Sequence, residues 1–513
     1  MTRAEPKIGV VWWIVLAVFT LISLWPIWSE RFPPLQDYPE HLLHAQMLLH
    51  RDDPQFAYDR DFEFHLTPVY AAFFGVTDFF AKFLPIEVAG KMALSFYIAL
   101  MATLVMKLAR RSGVDAAPWG ALLFFPFAFN QQWFQGNINY CYSLPLLFLT
   151  LLDADDLARH PTTLLTLTRY ILLQLVLFFT HPLTFLVYLG LVSVAAILSL
   201  WDRNRFKRGL VPLMTGFGLL VAWSIIAKSA GGTALFGKEG IDFVWQPVGR
   251  SAAFWASMFT GMRWNDGVDL LPIVLWVAVS AVVFVAWVTH RDRQGTDLPY
   301  TDPLFLGVTL AGVFLLPFSV NDSSHPDVRL VSYFGWRLAA ISYLFLALLA
   351  AQVRLRGRWA IVFVVCVSGL LVLSIQKQLH VSREIRSIED IIYKIPPNSR
   401  ILPLVFSRNS PELDPGYFDV HLHVHNYYHL LVGGGLSPYF FKAPLHPVHL
   451  RPGVDLPAPG EYDPEQFRWD QHADSYEFFL VRGAPPSFVA YFGEYTDPIV
   501  KSGEWLLLRR KHS

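Results

Sequence analysis

Apolar runs of about twenty residues recur along this chain, and that recurrence constrains the fold more than any motif. Roughly 20 apolar residues in a helix cross the ~30 Å hydrocarbon core of a bilayer. Candidate runs are 8–28, 86–106, 117–135, 138–152, 163–180, 183–201, 209–229, 270–289, 303–318, 336–353 and 359–376. In lipid the backbone must satisfy its own hydrogen bonds, so each run is expected to be helical. Composition agrees, with 54% hydrophobic and 16% charged residues where a soluble domain carries about 25% charged. A soluble enzyme and a disordered chain are therefore excluded. Lys+Arg and Asp+Glu both number 41, so no basic excess points to nucleic acid. The 17 Trp suit interfacial belts. Cys141 and Cys366 sit in apolar runs, which argues against a disulfide framework. No small-residue cleavage site follows the first run, so it reads as an anchor.

Charge sets the expected orientation. With the N-terminus cytoplasmic, the inner segments carry 15 Lys/Arg in 54 residues and the outer segments 8 in 118, the asymmetry that cytoplasmic loops require. The region 377–513 then lies outside. Its Pro-rich turns, short β-type runs (Ile401–Phe406, Phe478–Val481, Trp505–Leu508) and His-rich stretch replace the apolar runs. The expected architecture is mainly α: a polytopic membrane domain over 1–376 with about eleven transmembrane helices, a first outer loop at 29–85, and a small α+β extracytoplasmic domain over 377–513. Asp78 and Lys82 interrupt the apolar stretch 66–84, which reads as a helix lying in the interface or re-entering from outside.

The outer loop holds the most informative residues. Asp37 lies in a proline-bracketed turn directly after the first run, with Glu40 and His41 following. A partly desolvated carboxylate at the membrane boundary gains basicity, as a general base requires. Equally, Asp37 fits as the cap of a helix beginning near Pro39, with Glu40 in its first turn.

This pattern resembles the polytopic glycosyltransferases of the C-type fold, the superfamily of protein O-mannosyltransferases and lipid A aminoarabinose transferases. The layout is similar: one span, an outer loop with an acid where Asp37 stands, a proline-containing segment (His65-Leu-Thr-Pro68-Val-Tyr70), then Lys91 onward to a basic pair at Arg110-Arg111. Ile395-Pro-Pro-Asn-Ser-Arg-Ile-Leu402 and Glu477-Phe-Phe-Leu-Val481 resemble segments of related bacterial membrane proteins. Members often carry paired acids at the catalytic position; here Tyr38 follows Asp37, which leaves Asp37 and Glu40 both as candidates for the base.

The resemblance implies an inverting transfer of a sugar from a polyprenyl-phosphate donor to a glycan, lipid or protein acceptor, in a bacterial inner membrane. A phosphate leaving group needs cations, and Arg263, Arg329 and Arg337 flank the outer ends of the runs; snorkelling from span ends is the plainer use of such arginines. His41, His65, Asn137, Asn139 and His181 are the candidates for contacting sugar or acceptor. No cofactor is required. Asp59 and Asp61 form a D-x-D that in an extended segment would face one way and suit Mg²⁺ or Mn²⁺. His421, His423 and His425 alternate ahead of His429, and read as a polar sugar- or partner-facing surface. Gly433-Gly434-Gly435 reads as a helix stop. The rival readings are a transporter or flippase of a lipid-linked glycan and a non-catalytic envelope assembly protein. Transporters place charge at mid-membrane, whereas the charges here gather in the outer loops.

Overall fold

The computed structural model describes residues 9–56, 58–65, 70–111, 119–160, 163–198, 200, 203–229, 241–245, 270–290, 318–322, 334–353, 355–413, 418–440 and 446–511. The chain is mainly helical, with a small sheet near its C-terminal end. In the first helix, Val10–Ser29, Trp12, Leu16, Phe19, Ser23 and Ile27 are buried at helical spacing, while Val10, Ile14, Leu21 and Trp25 stay exposed. A helix apolar all round but covered by protein on one stripe needs lipid for the rest. The same holds for Arg358–Arg386, where Phe363, Val367, Leu370 and Ser374 face inward and Ile361, Val365 and Val372 outward.

Among the described residues, three helices are long and apolar enough to span: Val10–Ser29, Ile86–Arg110 and Arg358–Ile392. Shorter apolar helices cover Leu164–Thr180, Pro182–Ile197, Gly209–Ile225 and Leu270–Ala286. Residues 303–317 of the expected run 303–318 lie outside the described residues, and Phe318 opens the strand Phe318–Asp322. The run 117–135 departs from expectation. It breaks into Trp119–Leu123, Phe124–Ala128 and Gln131–Phe134. Pro126 has no amide to donate, and Asn130 restarts the chain as a cap, its side chain accepting from Gln132 N at 2.9 Å. The run 138–152 belongs to a longer helix, Ile138–Arg159. Within 66–84 the helix is Ala71–Ala81; eleven residues reach about 16 Å, roughly half the hydrocarbon thickness. It packs on the helices Tyr38–Leu49 and Ile86–Arg111.

The region 377–513 is interlocked with the helices. The helix Arg358–Arg386 runs straight through position 376, so no linker marks the expected boundary. Strand β1 (Phe62–Phe64), within 29–85, pairs antiparallel with β5 (Val448–Leu450) of the C-terminal segment, and β2 (Ile241–Trp245) pairs antiparallel with β3 (Phe318–Asp322). Arg31 Nε lies 2.8 Å from Glu87, its guanidinium also reaches Glu389, and Arg383 meets Glu30 at 3.1 Å. The C-terminal sheet runs β4 (Ile401–Val405), β6 (Phe478–Arg482), β8 (Trp505–Arg510), β7 (Thr496–Ser502), with β4 and β6 parallel and the other pairs antiparallel. Its two prolines, Pro403 and Pro498, fall in the edge strands, where a missing donor is tolerated. The parallel crossover from β4 to β6 carries the whole His-rich stretch.

Candidate active site

Loop 29–37 lies on the polar hairpin 130–137. Gln36 N donates to Phe134 O at 2.9 Å and Asp37 N to Gln135 O at 3.0 Å. Gly136 makes this approach feasible: its φ is +79°, and a Cβ there would lie 2.7 Å from the amides of Asp37 and Tyr38. Asp37 holds the N-cap position of Tyr38–Leu49, and its carbonyl accepts from His41 N at 3.0 Å. Its side chain makes no capping bond among the described residues. Instead Asp37 Oδ1 lies 3.0 Å from His423 Nδ1. Glu40 Oε2 is 3.6 Å from the same nitrogen, and Glu461 Oε1 is 3.0 Å from Nε2.

Burial grades this cluster. The Glu40 side chain is 1% exposed and that of His423 6%, whereas Asp37 keeps 17% and Glu461 24%. Asp37 Oδ1 itself is buried, so the accessible edge of its carboxylate is the one turned away from His423. Glu40 is thus not a solvated first-turn acid: the inner face of its helix is capped by the crossover, and His44 lies 4.0 Å away. Burial lowers the His423 pKa, but Glu461, Glu40 and Asp37 more than offset it and hold the ring well above its ordinary value. The surrounding histidines behave oppositely. Burial pushes His41 down to about 4 and His446 to about 3, and His44 and His425 well below the usual range.

The His-rich stretch is therefore interior rather than a polar surface. His421, His423, His425 and His429 are all buried, because turns and a short helix fold them against the Tyr38–Leu49 helix. The stretch ends where expected, at Gly433–Gly435, each with positive φ. A cleft of about 700 Å³ lined by Arg383, Glu384, Ser410, Arg482 and Glu504 backs onto this cluster without containing Asp37. Its wall residue Glu384 lies 3.2 Å from His421 Nε2.

A second group gathers where the hairpin enters Ile138–Arg159. The Tyr140 hydroxyl donates to the Arg337 carbonyl, and the Arg337 guanidinium lies 5.9 Å from the Tyr140 ring centre. The rings of Tyr140 and Tyr70 flank His181 at 5.0 and 5.2 Å. Arg337 Nε is buried with no partner among the described residues. Tyr70 has φ +61°, a conformation a bulky side chain rarely adopts, and Asn139 Oδ1 fixes the adjoining turn by accepting from Phe73 N at 2.8 Å. The two groups are joined by chain: Asp37 bonds Gln135, and Tyr140 follows five residues later.

The other expected residues are distributed unevenly. Asn137 Nδ2 donates to Gln132 at 3.0 Å and Gln135 at 3.2 Å, beside the Asp37 loop. His41 packs on Phe73, Phe74 and His446. His65 sits at the β1 end, half its side chain exposed, 3.7 Å from Glu63. Asp59 and Asp61 lie in a helical turn, Tyr58–Asp61, not an extended segment. Alternate residues in a helix are about 200° apart, and Arg60 engages Asp61 at 2.7 Å, so the premise for a shared cation fails. Among the described residues no group of three or more His, Cys, Asp or Glu has the placement to hold a metal. Arg263 and Arg329 lie outside the described residues. Sequence reasoning missed His423 and Glu461 as partners of Asp37; the alternating histidines were visible, but nothing local tied them to a residue 386 positions away.

This architecture, with an acid loop after the first helix and a mixed domain closing over it, matches solved structures along its whole length. The chain shares its fold with ArnT. Against ArnT from Cupriavidus metallidurans bound to undecaprenyl phosphate the TM-score is 0.53 at 12% identity, covering 98% of this chain and 99% of that one. Against the apo state of the same protein it is 0.54 at 12% identity, covering 97% of each. No family model and no curated protein matches the sequence. The likeness to ArnT thus rests on the path of the backbone, at an identity where side chains have largely diverged.

Proposed function

We propose that this chain is an integral-membrane glycosyltransferase that moves a sugar from a polyprenyl-phosphate donor to an acceptor hydroxyl of a glycan, lipid or protein at the outer face. The observation that carries the reading is Asp37. It occupies a cap position without capping, and one edge of its carboxylate stays accessible beside the hairpin that leads to Arg337. The full-length fold match to a protein solved with undecaprenyl phosphate supports the donor class. In the reaction Asp37 takes the acceptor proton as the acceptor oxygen bonds to the anomeric carbon. The bond from that carbon to the phosphate oxygen breaks, the configuration inverts, and polyprenyl phosphate leaves. Arg337, with Arg329 and Arg263 as further donors, would hold the developing phosphate charge. The N-terminus is placed in the cytoplasm and 377–513 outside by the charge asymmetry. The test is mass spectrometry of envelope glycans from cells with the wild-type chain, without it, and with Asp37→Asn. A sugar present only with the wild-type chain is expected. Identical glycans in all three overturn the reading.

A further inference from the structure

We infer that His423, supplied by the C-terminal segment, is a positioning residue for Asp37, holding its carboxylate through Nδ1 while Glu461 holds the ring through Nε2. The inference rests on the glycosyltransferase reading and adds a residue to it. Both ring nitrogens face carboxylates, at 3.0 Å on each side. At these distances the contacts are ion pairs: a neutral ring would withhold its counter-charge from Asp37, Glu40 and Glu461, whereas the protonated ring supplies it. The ring is 6% exposed, so solvent does not compete for either nitrogen.

Charged and titratable groups surround it from every side. Asp37, Glu40 and His41 come from the Tyr38–Leu49 helix and its cap, Asp419 and His425 from its own segment, and Glu461 from the loop leading to β6. Arg408 answers Asp419 at 3.7 Å; the three remaining carboxylates, Asp37, Glu40 and Glu461, outnumber the one imidazolium, and the adjacent histidines are held neutral by burial. Asp37 rotated off His423 would leave that cation nearer Glu40 and Glu461 and its own Oδ1 buried without a counter-charge. One rotamer of the base is thereby selected by a residue 386 positions away in the chain. His423 does not touch the reacting atoms in this scheme, because the accessible edge of Asp37 is the opposite one.

The test uses the full chain in nanodiscs with the radiolabelled polyprenyl-phosphate sugar fraction extracted from envelope membranes, reading release of polyprenyl phosphate against pH. His423→Gln is expected to lower kcat about tenfold or more with donor KM within about twofold, and to remove the alkaline limb that the wild type shows as His423 loses its proton. On an Asp37→Asn background the same change should cost nothing further, because the two residues act as one unit. Glu461→Gln should move the alkaline limb to lower pH, since it takes away an opposing charge near the ring; this arm decides the matter if His423→Gln does not fold. Independent, multiplicative losses, or a wild-type pH profile in both variants, overturn the inference. Wild-type release by Asp37→Asn overturns the underlying reading instead.

Discussion

Two carboxylates in this protein, one buried and one partly accessible, are served in opposite ways. Asp153, toward the C-terminal end of Ile138–Arg159, is 2% exposed and answered by two cations, Lys107 and Arg169, the latter at 2.8 Å. Asp37, just past the C-terminal end of the first helix, shares a single histidine with Glu40 and Glu461. Cations in excess lock a carboxylate in its charged form and give it nothing to do but hold helices together. Carboxylates in excess leave the charge balance to a group that titrates. The first arrangement is a clamp, and the second is a site whose protonation can change.

Exchanging the carboxylates tests that contrast most severely. Asp37→Asn keeps size and capping capacity, and is expected to cut sugar transfer by about 10²–10⁴-fold with the chain still extracted intact and monodisperse. Asp153→Asn should do the reverse. It removes charge-assisted contacts to Lys107 and Arg169, which are 22% and 56% exposed and can take up water, and costs about 1–3 kcal/mol, seen as a fall in thermal midpoint in detergent, while transfer per folded molecule stays near wild type. If both variants lose activity in proportion to stability, the two carboxylates are of one kind and the contrast collapses.

Arg337→Gln comes next. Loss of a charge-assisted contact costs about 1.5–3 kcal/mol, so donor KM should rise by one to two decades with acceptor KM unchanged. Acid should separate the two ends as well. The pKa values of His44, His425 and His429 are held down by burial, His429 to about 4. A histidine with a depressed folded pKa contributes stability above its unfolded value of ~6.5, and loses it as pH falls toward the folded value. Hydrogen exchange in 418–440 should therefore accelerate between about pH 6.5 and 4, while amides around Asp153 stay protected. The smallest effect is expected at the surface: Arg383→Ala removes a pair whose arginine is 60% exposed, worth about 1 kcal/mol or less.

Local chemistry made much of this legible. The helical runs other than 117–135 and 303–318, three of the four C-terminal sheet strands, the short helix within 66–84 and the glycine stop after His429 follow from periodicity, proline and glycine alone. The strand Thr496–Ser502 escaped because Asp497, Pro498 and Lys501 give it neither alternation nor an apolar run; it forms by pairing with β8 at an edge. Asp37 was readable as an important acid from its place after the first span. Whether it capped or reacted was not, since that depended on His423 folding back across the crossover between β4 and β6. The burial of Glu40 was unreadable for the same reason. Long-range burial, unlike helix formation, leaves no local signature.

The unbroken helix Arg358–Arg386 has a mechanical consequence. Its 29 residues make a rod of about 44 Å, rooted among lipid-facing side chains at one end. Near the other end Glu384 lies 3.2 Å from His421, two positions before His423. A rod of that length pivoting by about 5° at its base swings its tip by about 4 Å, more than the 3.0 Å separating His423 from Asp37. Bilayers of different thickness tilt such helices. Lipid acyl length would thus bear on the alignment of the Asp37 carboxylate.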